Sequence, residues 1–220
     1  RLLFGKFDNN TAHSNGMEGI NLDLVEIDDA GNVGPDARFG WGLLNAKKAA
    51  ETIRDNGLNS WISENTLNQG ASYTMTVRSN GGTNNPLIAS ITWTDVPGPV
   101  NNGILNDPTP VLVNDLDIRI SQGTTTYFPW RLQSNATLNA TRTGDNNVDN
   151  VEIVKIDAPT AGDYIITVTH KGTLQGGPQN YSLIATGITC WIEKPLGSWF
   201  KRNLNRFADR MISKKNRDTK

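Results

Sequence analysis

The sequence has very few cysteine and histidine residues. Its 220 residues include one cysteine, Cys190, and two histidines, His13 and His170. A single cysteine excludes an intramolecular disulfide and a zinc site built from several cysteines. No run of 18 apolar residues occurs, so the sequence predicts no transmembrane helix. Hydrophobic residues make up 36% of the chain and charged residues 20%, a composition typical of a protein with a packed core.

Charge is unevenly distributed along the chain. The formal net charge is −1, but residues 191–220 carry nine Lys or Arg and three Asp or Glu. The preceding 190 residues hold 12 basic and 19 acidic side chains. Because this acidic body would repel nucleic acid and attract cations, we expect no nucleic-acid partner.

The basic tail has a helical pattern of its own. Between residues 196 and 213, apolar residues recur at helical spacing and most basic residues lie elsewhere on the helix. This pattern predicts a basic amphipathic helix in the tail, residues 189–220. Three roles stay open: binding to a membrane surface, docking or sorting, and a solvated segment without structure. The apolar positions are Leu196, Trp199 or Phe200, Leu204, Phe207 and Met211.

A short helix is predicted before the middle of the chain. Leu43, Ala46, Ala50 and Ile53 share one helical face, which predicts a helix from about residue 43 to residue 55. The alanines at 46, 49 and 50 allow close packing. Asn56-Gly57 follows and suits a helix end, because glycine readily adopts the left-handed conformation needed there. The stretch before this helix reads as a loop, and residues 20–29 leave both strand and helix open.

From residue 58 the hydrophobic period changes from 3.6 to 2. Each alternating run is bounded by turn residues such as Gly, Pro, Asn and Asp. At least six such strands without intervening helices predict a mainly β fold, a β-sandwich or jelly roll. The runs are ASYTMTVRS, LIASITWT, VLVNDLDIRI, VEIVKI, DYIITVTH and YSLIATGI.

Several stretches resemble a known family of enzymes. Residues 34–50, GPDARFGWGLLNAKKAA, resemble the segment that closes the catalytic domain of subtilisin-like serine peptidases, where a Gly-rich turn leads into the last helix. Four later stretches are similar to the jelly-roll domain that follows the catalytic domain in large secreted bacterial members of this family. They are ITWTDVPG (91–98), LVNDLDIRI (112–120), residues 145–170 and GPQNYSLIATG (177–187).

The resemblance implies three parts in the chain. Residues 1–57 correspond to the end of the α/β catalytic domain and residues 58–188 to the jelly-roll accessory domain, whereas residues 189–220 match nothing in the family pattern. The implied protein is bacterial and secreted or bound to the cell surface. Its implied partners are the catalytic domain of the same polypeptide, which the jelly roll would stabilise, and the extracellular protein substrate of the full enzyme.

The family's catalytic residues have no counterpart in this sequence. In the family, the Asp, His and Ser of the catalytic triad all precede the GWG turn, which lies at residues 40–42 here. No Gly-Thr-Ser-Met-Ala or His-Gly-Thr-His segment occurs, and His13 and His170 stand in other contexts. Because the serine needs a histidine base oriented by a carboxylate, this chain alone is expected to be inactive.

Carboxylates and amides cluster in two stretches, Asn114–Asp117 and 145–150. Calcium prefers six to eight oxygen ligands of this kind, and Asp115 and Asp117 fall on the same face of a strand. The resemblance also implies calcium in this jelly roll. Alternatively, these residues simply build tight turns. The candidate metal ligands are Asp95, Asp107, Asp115, Asp117, Asp145 and Asp149.

Aromatic residues suggest a function from a different class. Trp93 alternates with Ile91 and is expected in the core, whereas residues 127–130, YFPW, are less clearly buried. An exposed aromatic platform binds sugars, and the alternative is therefore a stand-alone secreted β-sandwich that binds glycans or a surface. Fold class alone does not separate this alternative from the peptidase accessory domain.

Overall fold

The computed structural model of the protein describes residues 34–36, 40–41, 45–100, 109–133 and 138–189. Within these ranges lie one helix and eight strands. The helix is α1 (Ala46–Arg54). The strands are β1 (Ser60–Leu67), β2 (Tyr73–Ser79), β3 (Leu87–Trp93), β4 (Leu116–Gln122), β5 (Thr125–Tyr127), β6 (Val151–Ile156), β7 (Gly162–His170) and β8 (Gln179–Thr186).

The strands form two four-stranded antiparallel sheets. The first sheet has the order β1-β8-β3-β6 and the second the order β2-β7-β4-β5. The pairs β1–β8, β2–β7, β3–β6 and β4–β5 are nested around the β4–β5 hairpin, as if one long hairpin had been rolled up. This is jelly-roll topology, and it confirms the mainly β sandwich predicted from the alternating runs.

Alternate residues of each strand fill the space between the sheets. Ala89, Ile91 and Trp93 of β3 and Ile118 of β4 are almost fully buried there, as the period of two requires. Trp93 is 4% exposed, which confirms its predicted place in the core. The remaining buried residues of this core are Leu67, Val77, Leu87, Leu116, Ile120, Val154, Ile156, Tyr164, Ile166, Val168, Leu174, Tyr181, Leu183, Ala185 and Ile188.

Strand β6 is buried on both of its faces. Val151 and Ile153 point away from the main core and join a second apolar cluster with Ile88, Trp41 and Trp130. Trp41 comes from the Gly-rich turn that opens the resemblance to the peptidases. That turn is closed by two hydrogen bonds of 3.0 Å between the backbones of Asp36 and Gly40. The turn is therefore part of the sandwich, because its tryptophan helps to cover the outer face of the first sheet.

The helix begins and ends close to the predicted positions. The side chain of Asn45 accepts a hydrogen bond of 2.8 Å from the backbone N–H of Lys48 and caps the first turn. The helix ends at Arg54, and Gly57 adopts a left-handed φ of +88°. Leu43, which was predicted to lie in this helix, is outside the described residues.

The apolar face of α1 that the sequence indicates is left uncovered by the described part of the chain. Ala46, Ala50 and Ile53 are exposed, and the buried residues of the helix are Ala49 and Thr52. The hydroxyl of Ser60 in β1 donates a buried hydrogen bond of 2.6 Å to the carbonyl of Thr52. This contact turns the Ala49–Thr52 side toward the sheet, and a short alanine-rich helix has too little apolar contrast to oppose it.

The chain divides into two compact units, Arg1–Cys190 and Trp191–Lys220. The predicted amphipathic helix falls in the second unit and lies outside the described residues. His13 and residues 20–29 belong to the first unit and also lie outside the described residues. In the part of the chain that the structure describes, no helix has the length and apolar character needed to cross a membrane.

Gly187, directly after β8, provides a test of the jelly-roll packing. Its φ is +70°, and a Cβ at this position would collide with the backbone of Pro86. We expect Gly187→Ala to lower the free energy of unfolding by about 2 kcal/mol or more in urea denaturation. The matched control is Gly172→Ala, where φ is +61° but the space is open, and we expect a loss of only about 1 kcal/mol. Equal losses in the two variants would contradict this account.

Candidate functional site

Six ionisable residues meet where β4 begins, and we call them the charge cluster. Register explains the position, because β5 pairs with β4 only from Ile120 onward and leaves the start of that edge without a partner strand. The end of β7 lies on the other side of β4, where Leu116 is opposite His170. The members of the charge cluster are Asp115, Asp117, Arg119, Asp145, Glu152 and Lys171.

The ammonium of Lys171 is surrounded by three carboxylates. Its Nζ lies 3.2 Å from Asp115 Oδ2, 2.9 Å from Asp117 Oδ1 and 3.2 Å from Asp145 Oδ2. Burial alone would lower the pKa of Lys171, but the hydrogen bonds and charges of Asp117 and Asp115 outweigh it and raise this pKa well above its usual range. The lysine is therefore charged at any physiological pH.

Arg119 supplies a second cation to the same carboxylates. Its Nη2 donates to Asp117 Oδ1 at 3.0 Å and to Asp145 Oδ1, and its Nη1 donates to the Ile118 carbonyl at 2.7 Å. The guanidinium also lies 5.0 Å from the centre of the Phe128 ring. The arginine thus holds the loop around Asp145 against the outer face of β4.

Glu152 is the buried member of the charge cluster. It lies on the inner face of β6 with no exposed surface, and its Oε2 accepts a hydrogen bond of 2.7 Å from the backbone N–H of Ile118. Oε1 has no hydrogen-bond partner among the described residues. Burial raises the pKa of the Glu152 carboxyl to about 9, and the negative charge of Asp117 adds to this increase. The hydrogen bond from the Ile118 N–H and the positive charges of Arg119 and Lys171 oppose it. One side chain therefore bridges the two sheets at the unpaired edge of β4.

Asp115 also has a perturbed carboxyl group. Burial raises the pKa of Asp115 above its ordinary value, and the nearby charge of Lys171 opposes this shift. Its Oδ1 is buried and has no hydrogen-bond partner within the described ranges. The backbone of Lys171 is fixed against the same residue, because its N–H donates to the Asp115 carbonyl at 2.9 Å.

The other predicted metal ligands serve their own loops. Asp95 accepts backbone hydrogen bonds from Val96 and Asn114 at 2.9 Å each and from Val113 at 2.7 Å. Asp149 accepts a hydrogen bond of 3.0 Å from the Asn146 amide, and burial raises the pKa of this carboxyl. Both residues thus support loop structure, which agrees with the alternative that Asp and Asn build turns. Asp107 is outside the described residues.

The arrangement brings together Asp115, Asp117 and Asp145 of the six predicted ligands. In the described part of the chain, no group of three or more His, Cys, Asp or Glu side chains is disposed to hold a metal ion. The reason is visible in the geometry, because the ammonium of Lys171 lies where these carboxylates converge. The donor set in this form does not fit calcium, and a calcium site elsewhere in the chain stays a prediction.

His170 and the aromatic residues have structural contacts. His170 Nε2 accepts a hydrogen bond of 2.7 Å from the backbone N–H of Gly70 at the end of β7. Trp130 is 5% exposed, and the guanidinium of Arg142 covers its ring at 4.5 Å. Trp93 is in the core, so neither of these indoles presents an open face to a sugar ring. Glycan binding by the region 127–130 stays a prediction.

Sequence reasoning missed Glu152, Lys171 and Arg119. A signal for Glu152 was present, since this residue occupies an inward position in VEIVKI, in phase with Val154 and Ile156. A glutamate on the core side of a strand requires a partner or a proton. Lys171 carried no such signal, because its role depends on the pairing of β7 with β4.

The buried carboxyl of Glu152 predicts a dependence of stability on pH. In the folded state the Glu152 carboxyl keeps its proton up to about pH 9, whereas in the unfolded chain it loses the proton near the ordinary pKa of glutamate. The stability it provides is therefore present in acid and is lost progressively between about pH 5 and pH 9. We expect the free energy of unfolding, measured in urea at several pH values, to fall less over this range in Glu152→Gln than in the native chain. The exposed Glu64→Gln is the control, and parallel profiles for all three proteins would rule this effect out.

Comparison with known proteins identifies no family for this fold. No protein-family model matches the chain, and no curated protein sequence matches it. Among solved structures, it is similar to the crystal structure of the Yersinia pseudotuberculosis-derived mitogen, with 18% sequence identity and a TM-score of 0.31. The match covers 59% of this chain and 86% of that one. A likeness of this size supports no inference about what the chain does.

Proposed function

We propose that the chain is the C-terminal portion of a secreted bacterial subtilisin-like serine endopeptidase. In this proposal α1 is the last helix of the catalytic domain and β1–β8 form the accessory domain that stabilises it. The full enzyme would cleave extracellular proteins by acyl transfer through a serine nucleophile, and the 220 residues alone would not cleave peptides. The support comes from the stretches at 34–50, 91–98, 112–120, 145–170 and 177–187, which resemble this family in the right order.

The observation that carries the proposal is that α1 is buried against the sandwich on one side and exposes an apolar residue on another. On one side, Ala49 and Thr52 are buried against the sandwich. On the other side, Ile53 is 68% exposed, and Leu58, which follows the helix, is 63% exposed. We take these exposed apolar residues as part of a surface that a second domain would cover. The catalytic domain named by the resemblance is the partner that would cover Ile53.

The charge cluster supports a structural role for the sandwich. In it, Lys171 and Arg119 form ion pairs with the three aspartates, and His170 accepts a hydrogen bond from the backbone of Gly70. Among the described residues, the hydrogen-bond contacts of the His170 ring are with the backbones of Gly70 and Lys171, and neither contact is with a serine hydroxyl. The sandwich is therefore proposed as a stabilising domain, whose charged side chains join its own strands and loops.

The DNA upstream of the Arg1 codon tests the proposal directly. We expect an open reading frame that encodes Asp, His and Ser motifs of a subtilisin-like peptidase. A stop codon, or a signal peptide joined directly to residue 1, would contradict the proposal and favour the stand-alone glycan- or surface-binding module.

Ile53→Ser tests whether α1 is shared between domains. In the 220-residue chain we expect no more than about 0.5 kcal/mol change in stability, because the side chain is mostly exposed. In the chain extended by its upstream catalytic domain, we expect the half-life of peptidase activity at elevated temperature to shorten several-fold. The control is Lys47→Ser on the same helix, which should leave both quantities unchanged. Identical half-lives for the two variants would show that Ile53 does not contact a second domain.

A further inference from the structure

We propose that the ammonium of Lys171 is a built-in cation, fixed at the point where Asp115, Asp117 and Asp145 would otherwise bind a divalent metal ion. The inference concerns the sandwich itself and does not depend on the proposed peptidase. It predicts that the sandwich needs no calcium at this position, because the chain carries its own counter-ion there.

The distances around Lys171 support a single occupant. Its Nζ lies 2.9 to 3.2 Å from one oxygen of each carboxylate. Calcium binds carboxylate oxygens at about 2.3 to 2.6 Å, so an ion held by these three oxygens would overlap the ammonium. Lys171 and a metal ion therefore exclude each other at this position.

The backbone holds the ammonium in place. Lys171 follows β7 directly and lies opposite Asp115, with its N–H bonded to the Asp115 carbonyl at 2.9 Å. The side chain then crosses the start of β4 to reach Asp117 and Asp145. One residue thus ties together the end of β7, the start of β4 and the loop that carries Asp145.

Arg119 occupies the oxygens that a metal ion would need next. Asp117 Oδ1 accepts from both Lys171 and Arg119, and Asp145 gives one oxygen to each cation. Calcium requires six or more oxygen ligands, and these carboxylates are already shared between two fixed positive charges.

A tethered cation differs from a bound ion in its dependence on the surroundings. Stabilisation by a bound ion grows with the ion's free concentration and disappears on chelation. Lys171 is covalently attached, so its local concentration does not change with the medium. Removing its charge leaves three carboxylates close together beside the single cation Arg119, and this repulsion should open the position to an external ion.

Thermal unfolding of the full 220-residue chain tests the proposal, with EDTA, millimolar calcium or millimolar magnesium added. We expect calcium and magnesium to raise the Tm of the native chain, relative to EDTA, by much less than they raise the Tm of Lys171→Met. Lys171→Met should melt several degrees lower in EDTA and regain part of that loss in calcium. Lys47→Met, an exposed residue of α1, is the control and should show neither effect. Refolding from urea with and without calcium gives the same comparison if Lys171→Met does not fold in EDTA.

A second variant separates charge from packing. Adding Asp145→Asn to Lys171→Met removes one of the three carboxylates, and we expect a higher Tm in EDTA than for Lys171→Met alone with a smaller response to calcium. Three results would overturn the proposal: a stabilisation of the native chain by calcium as large as that of Lys171→Met, a Lys171→Met variant that calcium does not stabilise, or a double variant no more stable than Lys171→Met in EDTA.

Discussion

The packing of two four-stranded sheets face to face is the constraint on which the rest of the structure depends. The core between them requires apolar residues at alternate positions, which β3 supplies along its whole length and β4 supplies from Leu116 to Ile120. It also brings the unpaired edge of β4 against β6, where a backbone N–H would otherwise have no acceptor. Glu152 provides that acceptor for Ile118. A buried carboxyl group is therefore a consequence of the short β5, and it links the two sheets across the core.

The charge cluster extends the same linkage to the outer face of β4. Carboxylates from the start of β4 and from the loop at Asp145 would repel one another without compensation. Arg119 of β4 and Lys171, which directly follows β7, form ion pairs with them within the chain. Clusters of this kind add geometric specificity, because each charge is satisfied only when the strands have the correct register. The pairing of β4 with β7 thus builds part of the sandwich and also brings the charge cluster together.

The sequence predicted what depends on local pattern and missed what depends on pairing. Strands β3, β4, β7 and β8 alternate clearly and were predicted, whereas β5 has three residues and β1, SWISENTL, has weak alternation. The side of α1 that contacts the sandwich was not predicted, since Ser60 in the next strand determines it. Within the candidate site, Asp115 and Asp117 share a face as predicted. Lys171 is distant in sequence, and only the register of β4 with β7 places it beside them.

The nested strand order has a consequence for how the chain folds. Ser60 at the start of β1 is paired with Thr186 at the end of β8, and the inner pairs close around the β4–β5 hairpin. Most contacts in the sandwich therefore join residues far apart in sequence, which makes folding slow compared with that of helical domains. Strand β1 has no partner strand until β8 has left the ribosome. The inner pairs can form earlier, so β1 is the strand whose apolar positions stay uncovered longest during synthesis.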